Sequence, residues 1–268
     1  MGEEYEMGFE KRNSARFKGV KIDNVSREEV VNIVNDTLER NLGGYICVTD
    51  VGNVIMASKD SLLRDAINSS MLSIADGTPL TWYAKLVGCR EIERISGMDL
   101  MVRLFEEKRG YKHFLLGDTE ERINKVINKA RQINGDIRIS GYSPPFREFT
   151  SEDNRMMVEM ITSEAPDIIW VSLGGGKQEK WMYTISTIVN RGVMIGVGAG
   201  FKWLIGDLNT PPKILQKIGL QWAFRIVPAL LRDPMKNTRK VIRVLKRKLE
   251  FVCYFPGEVI RARRSSRG

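Results

Sequence analysis

Short apolar, β-branched runs alternate along this chain with stretches in which apolar residues recur every three or four positions. Residues 45–48, 113–116, 137–139, 167–173 and 194–197 read as short buried strands. Between them, residues 27–38 gather Val30, Val31, Ile33, Val34 and Leu38 on one helical side, and residues 119–133 gather Ile123, Val126, Ile127 and Ala130 likewise. Asp118 or Thr119 is placed to cap the second of these helices, and Thr150 or Ser151 to cap another over 152–162. Alternation of this kind predicts an α/β fold, a mostly parallel sheet flanked by helices. Ligands in such sheets collect at the carboxyl ends of the strands, so the loops after Val48, Leu116, Leu173 and Val197 are expected to line one edge.

The alternation stops around residues 206–212, where Gly206, Asn209, Pro211 and Pro212 mark a boundary. Three segments follow: a polar extension over 1–16, an α/β catalytic core over 17–206, and a basic helical appendage over 207–268. The 268 residues, 43% of them hydrophobic, suffice for one buried core plus such an appendage. Net charge is +9, and from Arg225 onward thirteen cations face only Asp233, Glu250 and Glu258, which implies a negatively charged partner at this end. Residues 235–252 place Thr238, Ile242, Leu245, Leu249 and Val252 along one helical face, with Arg239, Arg243, Lys246 and Arg247 around it. Two readings stand: a surface helix packed on its own core, or an interfacial element docking on an anionic membrane. The acidic N-terminus has no apolar signal region, and no apolar run approaches the ~20 residues needed to span a bilayer, so peripheral rather than integral association is expected. Cys47, Cys89 and Cys253 are scattered without the close pairing of a zinc site or disulfide framework, which fits a reducing cytoplasm.

The segment from Val171 to Trp181 runs as a strand into Gly174, Gly175 and Gly176 and restarts as a helix at Lys177. Such a turn offers backbone N–H groups and a helix dipole to an anion such as a diphosphate. No Ser or Thr follows Lys177 and no glycine lies three residues beyond Gly176, so neither an ATP-hydrolysing loop nor a standard dinucleotide turn is indicated. Asp76 stands between an apolar run and Gly77-Thr78-Pro79, leaving its carboxylate at a loop edge; helix capping is the plainer alternative. Arg94 and Asp99 bracket a turn leading into a further helix, as a surface ion pair or as part of a site. With His113 the one histidine, and inside an apolar strand, a His-based metal centre and a Ser-His-Asp triad are excluded. There is no Asp-x-Asp pair, and no metal or cofactor is expected.

Five motifs in order, residues 73–79, 93–100, 171–181, 196–201 and 211–222, together resemble the WecG/TagA/CpsF glycosyltransferases from about residue 17 to about residue 239. The resemblance implies a Rossmann-like, GT-E-like core. It also implies inverting, metal-independent transfer from a UDP-sugar, such as UDP-N-acetylmannosamine, to a saccharide on undecaprenyl diphosphate. The setting would be the cytoplasmic membrane face, with products feeding teichoic acid, capsule or other surface polysaccharide. By position Asp76 matches the general base. Thr49 matches the threonine of a Thr-Pro-Asn motif whose proline and asparagine are replaced by Asp50 and Val51, with Asn53 two residues late and Asp50 a rival base. Arg94 and Asp99 fall in the donor and acceptor pocket with Gly174, Gly175, Gly176, Gln178, Glu179 and Gly198; Gln178 would bond the nucleotide or sugar and Glu179 serve the helix start. Lys202 stands where the family has an acid, and Gly176 where it has a proline. Arg225, Lys236 and Arg239 match arginine positions that would neutralise the leaving diphosphate, although lysine lacks the bidentate fork.

Two other classes offer alternative readings of the same residues. A nicotinamide-dependent oxidoreductase would use the glycines at 196–200, but no acid follows at ribose-binding distance. A nucleic-acid binder would use the basic tail, which lacks interleaved stacking aromatics and recognised modules. Nucleic acid is therefore not an expected partner, and a homo-oligomer is neither required nor excluded.

Overall fold

A computed structural model describes residues 13–209, 211–212, 214–215, 224 and 234–265. The described chain begins with an antiparallel hairpin, β1 (Ser14–Phe17) and β2 (Val20–Asp23), in which Phe17, Val20 and Ile22 are fully buried. The core thus starts at about residue 14 rather than 17. Next come α1 (Arg27–Glu39), β3 (Gly43–Thr49), α2 (Val51–Ala57), α3 (Ser61–Asn68), β4 (Leu72–Ala75), α4 (Thr78–Leu86) and α5 (Gly97–Phe105). Then β5 (Lys112–Gly117), α6 (Glu120–Ile133), β6 (Arg138–Tyr142), α7 (Ser151–Glu164), β7 (Ile168–Ser172), α8 (Lys177–Ile185), β8 (Gly192–Gly196) and α9 (Gly200–Leu204) follow. The last described element is a long helix, α10 (Pro234–Ser265). Thr119 and Thr150 cap α6 and α7, as the sequence predicts.

Strands β3 to β8 form one sheet in the order β4-β3-β8-β7-β5-β6, with every pairing parallel. Both faces of β3, β4, β5, β7 and β8 are covered, which is why these strands are continuous apolar runs, whereas the edge strand β6, expected to be buried over 137–139, is half-buried to exposed. Tyr45 and Cys47 of β3, with Ile169 and Val171 of β7, face a layer made of the hairpin, α2, α3, α4, α7 and α8. The intervening Ile46, Val48, Ile168 and Trp170 face α1, α5, α6 and α9. The chain leaves β3 for α2 on one face and leaves the adjacent β8 for α9 on the other. These diverging connections open a crevice at the carboxyl ends of β3 and β8, the topological switch point of the sheet.

Helix α10 is built into the first layer. Phe251 is buried and stacks on Phe17 with ring centroids 4.6 Å apart, and Phe255 meets the edge of Tyr83 at 5.8 Å. Lys18 donates its backbone N–H to Glu258 Oε2 at 3.1 Å, and Lys59 Nζ pairs with Glu250 Oε2 at 2.6 Å. Over 234–265 the appendage is therefore a helix, but one packed on the core rather than separable at residue 206. The packing uses Val241 and Phe251. The stripe predicted at Ile242, Leu245, Leu249 and Val252 is exposed instead, at 57% for Ile242 and 65% for Leu249. Among the described residues, no helix is long and apolar enough to cross a membrane.

Candidate active site

A cleft of about 400 Å³ occupies the switch point, lined by loops following β3, β4, β7 and β8 and by one side of α10. Asp76, Arg94, Asp99, Gly175, Gln178 and Gly198 all line it, so residues far apart in sequence converge there. The loop after β5 lies at the same edge, as expected, and lines a neighbouring cleft.

Asp76 continues the β4 ladder by donating its N–H to Thr49 O at 2.8 Å. Gly77 follows with φ 140° and ψ 138°, a shape L side chains rarely adopt, and turns the chain into α4. The half-buried carboxylate of Asp76 is thereby left at the cleft wall. Ile95 donates its N–H to Ala75 O at 2.9 Å, which lays the Arg94 segment beside the end of β4. Ser96 then caps α5 by accepting the Asp99 N–H at 3.2 Å, and Asp99 Oδ2 lies 3.9 Å from Arg94 Nη2. Asp50 also lines the cleft, but it is the N-cap of α2 and accepts the Asn53 N–H through Oδ1 at 2.8 Å. Thr49 is fully buried: its Oγ1 lies 3.0 Å from Ser73 Oγ and ties β3 to β4 beneath the cleft rather than lining it.

The glycine turn between β7 and α8 is satisfied from within. Glu179, fully buried, accepts the Gly176 N–H at 2.6 Å, the Gln178 amide at 3.0 Å and the Asn53 amide at 3.2 Å. Burial pushes its carboxyl above the usual range, against the smaller opposing pull of its own N–H, the Gln178 amide and the Gly176 N–H. The anion at the helix start is thus the chain's own carboxylate, which revises the expectation that Gly176 offers its N–H to a ligand. Gln178 accepts the Gly198 N–H at 3.0 Å and so joins the β7 and β8 loops. Gly174 and Gly176 have positive φ, and a side chain at Gly175 would meet Asn53 Oδ1 at 2.7 Å.

Helix α10 closes the cleft with Val244, Arg247 and Lys248. Of the cations expected there from sequence, Arg239 is exposed and not among the lining residues, while Arg225 and the side chain of Lys236 lie outside the described residues. The spacing of Arg239, Arg243 and Arg247 at four-residue intervals holds a signal for Arg247, but only knowledge of which side of α10 meets α2 selects it. Beyond Gly198 and Ala199, which line both, lies the second cleft, about 470 Å³. Phe146, Phe149, Lys177 and Lys202 line it, with Lys177 Nζ 3.5 Å from the centre of the Phe149 ring and Lys202 Nζ 3.7 Å from Asp118 Oδ2.

A parallel sheet with carboxylates, two arginines and a lysine gathered at its switch point has the layout of an α/β enzyme with its ligand cleft at the strand ends. More narrowly, the chain belongs to the glycosyl transferase WecG/TagA/CpsF family, whose profile matches residues 15–263. It is similar to the N-acetylglucosaminyldiphosphoundecaprenol N-acetyl-beta-D-mannosaminyltransferase of Bacillus subtilis, 24% identical over 223 residues, 82% of this chain and 86% of that protein. The enzyme of the same name from Bacillus spizizenii is 24% identical over 229 residues, 84% of this chain and 88% of its own length.

Proposed function

We propose that this glycosyltransferase moves a sugar of the N-acetylmannosamine type from a UDP-sugar to a saccharide on a polyprenyl diphosphate, with inversion and without a metal ion. What carries this is the meeting of Asp76 and Arg94 in a cleft that the cations of α10 close. The acceptor class comes from the similar Bacillus enzymes, whose names give an N-acetylglucosaminyl diphosphate on undecaprenol as their acceptor. In the reaction Asp76 takes the proton of the acceptor hydroxyl as that oxygen attacks the anomeric carbon. The bond from that carbon to the diphosphate oxygen breaks, and UDP departs with the electron pair. Arg247 and Lys248 meet the charge that develops on the diphosphate, and the single displacement inverts the anomeric centre. Asp50, Asp76 and Asp99 share the cleft, yet they do not gather into a metal-ligating cluster. The second cleft, lined by two phenylalanines and two lysines, suits a nucleoside and its phosphates.

The exposed apolar stripe of α10, beside its cations, suits docking on the inner face of an anionic bacterial membrane, where such an acceptor resides. Products of this kind feed teichoic acid, capsule or related surface polymers. A donor screen with a synthetic lipid-diphosphate acceptor, read by UDP release, tests the reaction. Release with a UDP-N-acetylhexosamine and acceptor together is expected; no acceptor-dependent release with any nucleotide sugar would sink the proposal.

A further inference from the structure

On the far side of Met56 and Arg247, which line both spaces, the active-site cleft has a neighbour: a hollow of about 370 Å³ between α10 and the layer of α2, α3 and the start of α8. Five cations line it, Lys59, Lys180, Arg243, Lys246 and Arg247, against the carboxylates of Asp60 and Glu250. Both carboxylates are already engaged, with Lys180 Nζ 2.5 Å from Asp60 Oδ2 and Lys59 Nζ 2.6 Å from Glu250 Oε2. Asp60 is further committed as the cap of α3, accepting the Leu63 N–H at 3.0 Å. The excess positive charge therefore sits on α10, at positions 243, 246 and 247, which the helical repeat places on one side. Arg247 is half-buried, and burial and then the nearby Arg243 lower its pKa, against the opposing pull of Asp50 and Glu250. Arg247, partly desolvated beside like charge, is disfavoured until an anion joins it.

We propose that this hollow is a phosphate-binding subsite distinct from the donor cleft, and that it holds the diphosphate of the lipid-linked acceptor. The identity of that ligand rests on the transfer reaction proposed above; the presence of an anion subsite does not. Arg247, at the divide, lies where it serves the acceptor diphosphate on one side and the reacting cleft on the other. The adjoining side of α10 carries the exposed Ile242, Leu245, Leu249 and Val252, which gives an attached prenyl chain an apolar path away from the hollow.

The test is calorimetric titration of the full-length protein with inorganic diphosphate and with geranyl diphosphate, each in the presence of saturating UDP. Binding is expected to persist with UDP bound. The double variant Arg243→Ala/Lys246→Ala should weaken it by about tenfold or more while leaving UDP affinity near wild type, since charge-assisted contacts are lost only in the hollow. Both side chains are exposed, so folding should be unaffected. Abolition of diphosphate binding by UDP, or an unchanged affinity in the double variant, would overturn the subsite. A second arm uses phosphatidylglycerol vesicles: a variant that loses vesicle binding but keeps geranyl diphosphate would make the hollow a headgroup site and reject the acceptor assignment. Failure of the transfer reaction itself is read separately, as absence of UDP release by the wild-type enzyme, because neither titration needs a donor sugar.

Discussion

Asp50 and Asp76 both bring a carboxylate to the cleft, and their settings in the chain separate their roles. Asp50 spends Oδ1 on the start of α2, a task that asparagine performs equally well, whereas Asp76 is held at the wall by the Gly77 turn. Asp76→Asn should therefore lower turnover by roughly 10²–10⁴-fold with UDP affinity nearly unchanged. Asp50→Asn should have a small effect; an active Asp76 variant beside a dead Asp50 variant would exchange the assignments. Asp76 was legible in the sequence because an apolar run ending in Asp-Gly-Thr-Pro forces a loop edge. Arg247 was not, because a long basic helix does not announce which side it buries. His113 supplies a second test at this scale. It is buried between Phe105 and Trp170, accepts the Trp170 indole N–H through Nδ1 at 3.2 Å, and has its pKa lowered by burial to about 4. Because the folded value lies below the unfolded value of about 6.5, its contribution is complete above pH 6.5 and is lost as pH falls through 4. His113→Phe should lower stability at neutral pH by about 1 kcal/mol through the orphaned indole, yet show a shallower decline from pH 6.5 to 4. Urea midpoints across that range decide it, and parallel declines would remove His113 from the acid response.

At the scale of elements, the turn between β7 and α8 shows what the sequence can and cannot convey. A strand, three glycines and a restarted helix are readable from Val171 to Trp181, but the acceptor at the helix start comes from Glu179, and one of its further donors is Asn53 on α2, more than a hundred residues away in sequence. Glu179→Ala should orphan the Gly176 N–H and loosen the amides of Asn53 and Gln178, at a cost of about 2–4 kcal/mol. Thermal unfolding measures this; an unchanged midpoint would mean that the turn does not depend on the internal carboxylate. Helix α2 escaped the periodicity because Val51, Val54, Ile55 and Ala57 are all buried, leaving no polar side to set a period of 3.6. The β1–β2 hairpin escaped it for a different reason: strands of four residues around Lys18-Gly19 are too short to show alternation. The inner parallel strands are readable because coverage on both faces makes them continuous apolar runs, whereas the order of the sheet depends on crossovers that no local pattern encodes.

For the whole molecule, the proposed reaction raises the question of how an enzyme without a membrane-spanning helix among its described residues would meet the lipid-linked acceptor proposed for it. If protein cations balance the leaving diphosphate, activity should persist in excess EDTA; loss reversed by Mg²⁺ or Mn²⁺ would show that they do not suffice. Docking needs a different experiment. Cutting the chain near residue 206 would strip Phe251 from Phe17 and Glu258 from Lys18, so a truncated protein would confuse lost docking with a damaged core. Side chains on the outer stripe avoid that difficulty, because Ile242 and Leu249 are exposed and contribute little to packing. Wild-type protein should sediment with anionic vesicles, more weakly as salt rises, since cations on α10 lie within a Debye length of the lipid surface. Ile242→Ser/Leu249→Ser should keep its fold and UDP affinity but bind the same vesicles about tenfold or more weakly, from the loss of two apolar insertions worth ~1–2 kcal/mol each. Charge alone would leave the double variant bound at low salt as tightly as wild type. That outcome would assign docking to the cations and leave the apolar stripe for another surface, whereas loss of binding at low salt would mean that the exposed side of α10 enters the bilayer interface and sets the cleft beside its acceptor.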